Sequence, residues 1–161
     1  MKLVATVTAW LLGITGVQST PNQPVEAVSK PNREHRVAHI PTLREVRSKA
    51  VKAFENADEF EGKKQVVQQF AKWYATKRLG YTKRQWRKVN WIWSKESAWD
   101  WDSEFNGTAP TAKGIPQIKW SKWGDWNDSP FEQVALGFKY IEERYDSPDA
   151  AYAHKRKHGW Y

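Results

Sequence analysis

The sharpest chemical signal in this 161-residue chain is a carboxyl on the apolar side of a helix. Glu96 lies in a run that begins at Thr82. At about 100° per residue, with Trp86 as zero, Val89 falls at roughly 300°, Ile92 at roughly 240° and Trp93 at roughly 340°. Glu96 lands inside that apolar arc, at roughly 280°. Lys83, Arg84, Arg87, Lys88 and Lys95 take the remaining arc and form a solvated basic side. A carboxyl flanked by Val, Ile and Trp is partly desolvated, which favours its neutral form and suits it to general acid work. The competing reading is a last-turn glutamate that swings to solvent beside Lys95. Wheel position alone divides these two evenly.

The other reactive residue types carry less. The chain has no cysteine, so it has neither a thiolate nucleophile nor a cysteine zinc site. His154 and His158 stand four apart on one helix face, a chelating distance, but the intervening Lys155-Arg156-Lys157 lacks the Glu of a zincin motif. They read as part of a basic last turn, favourable at a helix C-terminus. No metal is expected, and no glycine-rich phosphate loop is present. Asp100, Asp102 and Glu104 follow Glu96 closely and read as solvated loop acids.

The elements that must position Glu96 are helical. Leu43, Val46, Ala50, Val51 and Phe54 recur at helical spacing, Gly62 punctuates, and Val66, Val67, Phe70, Trp73 and Tyr74 form a second stripe. Thr82 with Gln85 makes a capping box for a third helix running toward Trp99. Ser129, Pro130 and Glu132 mark a fourth start with the same box, and Ser147-Pro148 begins a last helix that Gly159 ends. Between the third and fourth lies Asp100 to Asp128, without helical periodicity and long for a connection, which marks it as the place to look for a site. Gly114 to Trp120 is expected to pair as a small hairpin. The fold class is therefore mainly α with a minor β element.

Ahead of this module, residues 1–20 combine a positive start with an apolar run and resemble a signal peptide, with an uncleaved N-terminal anchor as the alternative. Residues 21–41 carry four prolines among polar residues and read as a linker. The folded domain is placed at 42–161. Eleven tryptophans on a chain of formal charge +8 admit sugar, nucleobase or core partners for the indoles and any polyanion for the charge. Trp99, Trp101, Trp120, Trp123 and Trp126 cluster after Glu96 and are candidates to wall a groove. A wholly membrane-embedded chain is excluded by its low hydrophobicity.

Glu96-Ser97-Ala98-Trp99, then Asn106, then Ala112-Lys113-Gly114-Ile115-Pro116-Gln117 resembles the lytic transglycosylase domain of the soluble type, related in fold to goose-type lysozyme. The resemblance continues through Gly137-x-x-Tyr140-Ile141-x-x-Arg144-Tyr145, Pro148, Ala151, His154 and the closing Gly159-Trp160-Tyr161, an ending common in the small secreted and phage-encoded branch. It covers residues 82–161. It implies a lysozyme-like domain in which Glu96 is the single catalytic acid. That acid protonates the oxygen between N-acetylmuramic acid and N-acetylglucosamine, then acts as base on the muramic 6-hydroxyl to close a 1,6-anhydro ring. It also implies that Ser97, Trp99, Thr111, Gly114, Ile115, Gln117, Tyr140 and Tyr152 contact the glycan.

The chain departs from the family in three places. Pro110-Thr111 replaces a Ser before the second motif, Pro116 replaces Met, and Ala150-Ala151-Tyr152-Ala153-His154 lacks the Asn and Gly of the family's Ala-x-Tyr-Asn-Ala-Gly. These changes leave the acid intact and put the subsite contacts in question. The resemblance implies no cofactor. It makes peptidoglycan strands the partner, with anionic wall polymers in addition, rather than nucleic acid. It further implies a monomer that is exported, periplasmic or wall-associated, of bacterial or phage origin, touching membrane only through an uncleaved N-terminus. Three alternatives stay open. One is a hydrolytic muramidase that uses a second carboxylate from Asp100, Asp102 or Glu104. The others are a wall-binding module without activity and a nucleic-acid binder using Lys83-Arg84-Gln85-Trp86-Arg87-Lys88.

Overall fold

The computed structural model describes residues 41–104, 112–123 and 127–161. The presumed signal, most of the linker, Asn106, Thr111 and Trp126 lie outside the described residues, as does the side chain of Trp120. The compact unit spans 39–161. It is mainly helical, with one two-stranded sheet. Among the described residues no helix is long and apolar enough to cross a membrane.

Among the described residues six α-helices follow in order: α1 (Leu43–Glu55), α2 (Phe60–Trp73), α3 (Lys83–Glu96), α4 (Trp120–Trp123), α5 (Pro130–Tyr145) and α6 (Pro148–His158). α2 runs on into a π-helical turn over Tyr74–Arg78. The expected break at Gly62 falls elsewhere: Gly62 lies in the first turn of α2, and α1 stops at Asn56, a residue type that competes for its own backbone. α3 starts as its sequence predicts. The Gln85 N–H donates to Thr82 Oγ1 (3.2 Å) and the Thr82 N–H to Gln85 Oε1 (3.0 Å). A second capping box that the sequence reading did not single out, Thr42 with Glu45, opens α1.

The box expected at α5 does not form. Ser129 makes no side-chain cap, its own N–H is donated to Asn127 Oδ1 at 2.8 Å, and Glu132 pairs with Arg47 of α1. The Ser129 carbonyl instead accepts the N–H groups of Glu132 and Gln133, both at 3.1 Å. At α6 Ser147 does cap, its hydroxyl accepting from the Ala150 N–H at 3.2 Å.

α1 packs on α2, α2 and α6 pack on α5, and α3 packs on α6. The core gathers where α3, α5 and the hairpin converge, around Trp93, Trp99, Phe138, Ile92, Ile115 and Ile141. Gly137 makes that convergence possible. A Cβ there would stand 2.6 Å from the Trp93 ring and 3.0 Å from Pro116, so only glycine lets both lie on the α5 backbone. The hairpin pairs β1 (Ala112–Lys113) with β2 (Ile118–Lys119), antiparallel, Ala112 opposite Lys119 and Lys113 opposite Ile118. Its strands therefore flank Gly114–Gln117, the turn, instead of beginning at Gly114.

Candidate active site

Glu96 is the last residue of α3, and its side chain keeps 17% of its exposure. Across the α3–α6 seam it meets Lys155 in a hydrogen-bonded ion pair; the lysine side chain is 9% exposed. Two influences oppose each other on the carboxyl. Burial raises its pKa and Lys155 lowers it; burial is the larger, so the carboxyl holds its proton above the ordinary glutamate range. The helix end acts in the same direction as burial, since the negative pole of the α3 macrodipole disfavours a carboxylate.

The backbone turns sharply after the acid. Ala98 and Trp99 both adopt left-handed conformations, φ 53° and 68°. Each costs on the order of 1–2 kcal/mol for a residue with a Cβ. The strain is held by burial of the Trp99 indole, 1% exposed, packed edge-on to Trp93 with its N–H donated to Ser94 Oγ at 3.2 Å. Two strained residues in succession, two and three positions after a buried carboxyl, accord with a functional site. It also corrects two expectations: Trp99 and Trp101 are core residues, not groove walls. Trp101 turns inward to Phe54 and Phe60.

The hairpin is fastened to this corner by a chain of hydrogen bonds. The Ser97 hydroxyl donates to the Ile115 carbonyl (2.9 Å), and the Ile115 N–H donates to Gln133 Oε1 (3.0 Å). Gln133, fully buried on α5, donates in turn to the Trp101 and Asn127 carbonyls at 3.0 and 3.1 Å. Tyr161 accepts from Trp93 Nε1 (2.9 Å) and donates to the Pro116 carbonyl (2.8 Å), locking the chain's last residue between α3 and the turn.

The structure gives several expected glycan contacts internal roles. Gly114 has φ +67°, and a Cβ there would lie 2.4 Å from Gln133 Oε1, so both its left-handed backbone and the Gln133 amide require glycine. The Ile115 side chain is wholly buried. Gln117, itself left-handed at φ 48°, donates to the Ser103 and Gly114 carbonyls at 3.1 and 3.0 Å and so braces the turn. Tyr140 does come close to the acid. The negative charge of Glu96 contributes to raising the pKa of both Tyr140 and Tyr161, although burial is the main cause for each. Tyr140 sits edge-on to Trp123, Tyr145 and Tyr161. Tyr152 stands instead against Trp91 (ring centroids 5.0 Å) and Lys88, toward the other end of the seam.

The loop acids have partners of their own. Asp100 accepts the Asp102 N–H (2.9 Å), and Glu104 pairs with Lys113 (2.9 Å). His154 and His158 stack at 4.4 Å, and no cluster of three metal-ligating side chains occurs among the described residues. Lys155, Gln133 and Tyr161 are the residues that sequence reading missed. A signal existed for the first: Pro148, Ala151 and Lys155 follow a three- and four-residue spacing, which puts the lysine on the buried face of α6, as the same wheel argument put Glu96 on that of α3. Compared with protein-family models, with curated proteins and with solved structures, the chain matches none.

Proposed function

We propose that this chain is a peptidoglycan lytic transglycosylase with a lysozyme-like domain, and that Glu96 is its acid and then its base. One observation carries the reading: a carboxyl at a helix end whose pKa burial raises, with Lys155 as the only charged side chain among the causes of its shift. A protonated Glu96 gives its proton to the glycosidic oxygen as the bond from muramic C1 breaks. The resulting carboxylate is the form that Lys155 favours. It takes the proton from the muramic 6-hydroxyl while that oxygen bonds to C1, closing the 1,6-anhydro ring and restoring the acid for the next cycle. No water enters the products.

Two of the three loop acids already have partners, which supports this reading over hydrolysis. A hydrolase needs a second carboxylate as nucleophile or as base for water. Asp100 is engaged in its own turn and Glu104 in a salt bridge, which leaves neither disposed to that task. The leader-like first twenty residues support an exported protein.

Digestion of purified peptidoglycan with mass analysis of the released muropeptides tests the proposal. Anhydro-muramic ends are expected. Reducing ends would replace transglycosylation by hydrolysis, and intact strands after incubation with folded protein would remove both.

A further inference from the structure

A second feature of the α3–α6 seam is unused by this chemistry. Arg84, Arg87, Lys88 and Trp91 of α3 and Tyr152 of α6 wall an open groove of about 270 Å³. The four α3 residues recur at three- and four-residue spacing and so share a face. Lys88 lies 5.4 Å from the centre of the Tyr152 ring, and the Arg156 guanidinium lies 5.9 Å from that of Trp91. We propose that this groove binds the phosphodiester backbone of an anionic polymer of the cell wall, holding the protein on the wall while Glu96 cleaves glycan. The proposal rests on the reading of the chain as a wall enzyme.

Charge accounting favours an anionic occupant. α3 and α6 carry two acids, and inward lysines take both: Lys155 pairs with Glu96 and Lys88 with Asp149. Arg84 reaches Asp149 only at 4.0 Å. Arg87 and Arg156 are exposed and have no ion pair among the described residues. Guanidinium forks suit phosphate because they donate two parallel bonds and are weakly hydrated. The α3 residues of the groove, Arg84 to Trp91, run about 10 Å along the helix at 1.5 Å per residue, a length fitted to successive phosphates rather than to one ion.

The rings point to a polyol or sugar phosphate and away from nucleic acid. Single-stranded binders present open aromatic faces on which bases stack. Here Trp91 and Tyr152 meet each other at 67° and Arg156 lies over the Trp91 ring, so no parallel platform is offered. What remains is apolar edge, which packs against C–H groups between phosphates.

The test is direct binding of the full chain, at physiological salt, to poly(glycerol phosphate) and to a dT20 oligonucleotide. An Arg87→Ala/Arg156→Ala variant is compared with a Lys49→Ala/Lys72→Ala control that loses the same charge elsewhere. The account expects the arginine variant to lose about tenfold or more in affinity for poly(glycerol phosphate). Its dependence of log affinity on log salt falls by about 1–1.5, and the control stays within about twofold. No binding, an equal loss in the control, or tighter binding of the oligonucleotide per phosphate overturns the proposal. Cleavage of phosphate-free peptidoglycan, measured alongside, separates the two readings. Binding without cleavage removes the catalytic assignment, and cleavage without binding removes the groove.

Discussion

The same chemical pair occurs twice along the α3–α6 seam, and its two copies behave in opposite ways. Toward one end Lys88 meets Asp149, with side chains 20% and 41% exposed. At the other Lys155 meets Glu96, at 9% and 17%. The hydrogen bond from Lys88 holds the Asp149 carboxyl below the ordinary range, helped by Gln85 and Arg84. Burial holds the Glu96 carboxyl above it, despite an equivalent lysine. Solvent makes the difference. Where water reaches the pair, the partner's charge decides the protonation state; where it does not, desolvation decides. A lysine–carboxylate contact thus goes with a lowered carboxyl pKa at one end and a raised one at the other.

The largest effect that would break this contrast is on turnover. Glu96→Gln is expected to lower the rate of glycan cleavage by at least about 100-fold while the fold persists. Asp149→Asn should leave the rate within about twofold, because it lies in the more exposed pair. Muropeptide release by the two variants is the measurement, and comparable rates would deny the ends different roles.

Next in size is the scaffold beneath the closed end. Gly114→Ala is expected to destabilise by about 2–4 kcal/mol in denaturant unfolding, combining left-handed strain with displacement of the Gln133 amide. Gly80, at φ +74°, has nothing within 4 Å of an added Cβ. Gly80→Ala should therefore cost only about 1 kcal/mol. Equal costs would mean that Gln133 does not fix the hairpin.

Lys155→Met sharpens the comparison through the pH profile. It removes the influence that lowers the Glu96 pKa and leaves the burial that raises it. The alkaline limb of kcat/KM, where the acid loses its proton, should move to higher pH. Lys88→Met should leave the limb in place and cost about 0–1 kcal/mol of stability, the usual range for an exposed pair.

The smallest effect is on stability against pH, and its sign differs between the ends. The folded Asp149 pKa is lowered, so its contribution is present above the unfolded aspartate value and disappears as pH falls through the folded one. The folded Glu96 pKa is raised, so the native state keeps a proton that the unfolded chain has released. Stability falls as pH rises from the unfolded glutamate value through the folded one. Thermal melts against pH of wild type, Asp149→Asn and Glu96→Gln should show these opposite slopes, the Asp149 share staying below about 1 kcal/mol because of solvent screening.

What could be read from sequence was what local periodicity encodes. The α3 wheel put Glu96 on the apolar face, and Thr82 with Gln85 fixed where the helix begins, since both signals lie within one helix and its cap. Long-range pairing was invisible. The pairing of Glu132 with Arg47, far away in sequence, could not be read from the Ser129 segment. Trp99 and Trp101 looked like groove residues because they follow the acid, but the left-handed turn at Ala98–Trp99 sends them into the core. Gly114 carried a motif signal whose physical cause, Gln133, lies nineteen positions on. Lys155 was hidden among three consecutive basic residues, and only its register with Ala151 distinguishes it.

The account turns on the proton held at Glu96. Carbon-13 NMR titration of the side-chain carboxyls, with Glu96→Gln and Asp149→Asn providing the assignments, reads both ends of the seam in one sample. The expected result is a Glu96 midpoint above the ordinary glutamate value and an Asp149 midpoint below the ordinary aspartate value. A Glu96 carboxyl that titrates at or below the ordinary value would make Lys155–Glu96 a second pair of the Lys88–Asp149 kind, and the acid would have to be sought elsewhere.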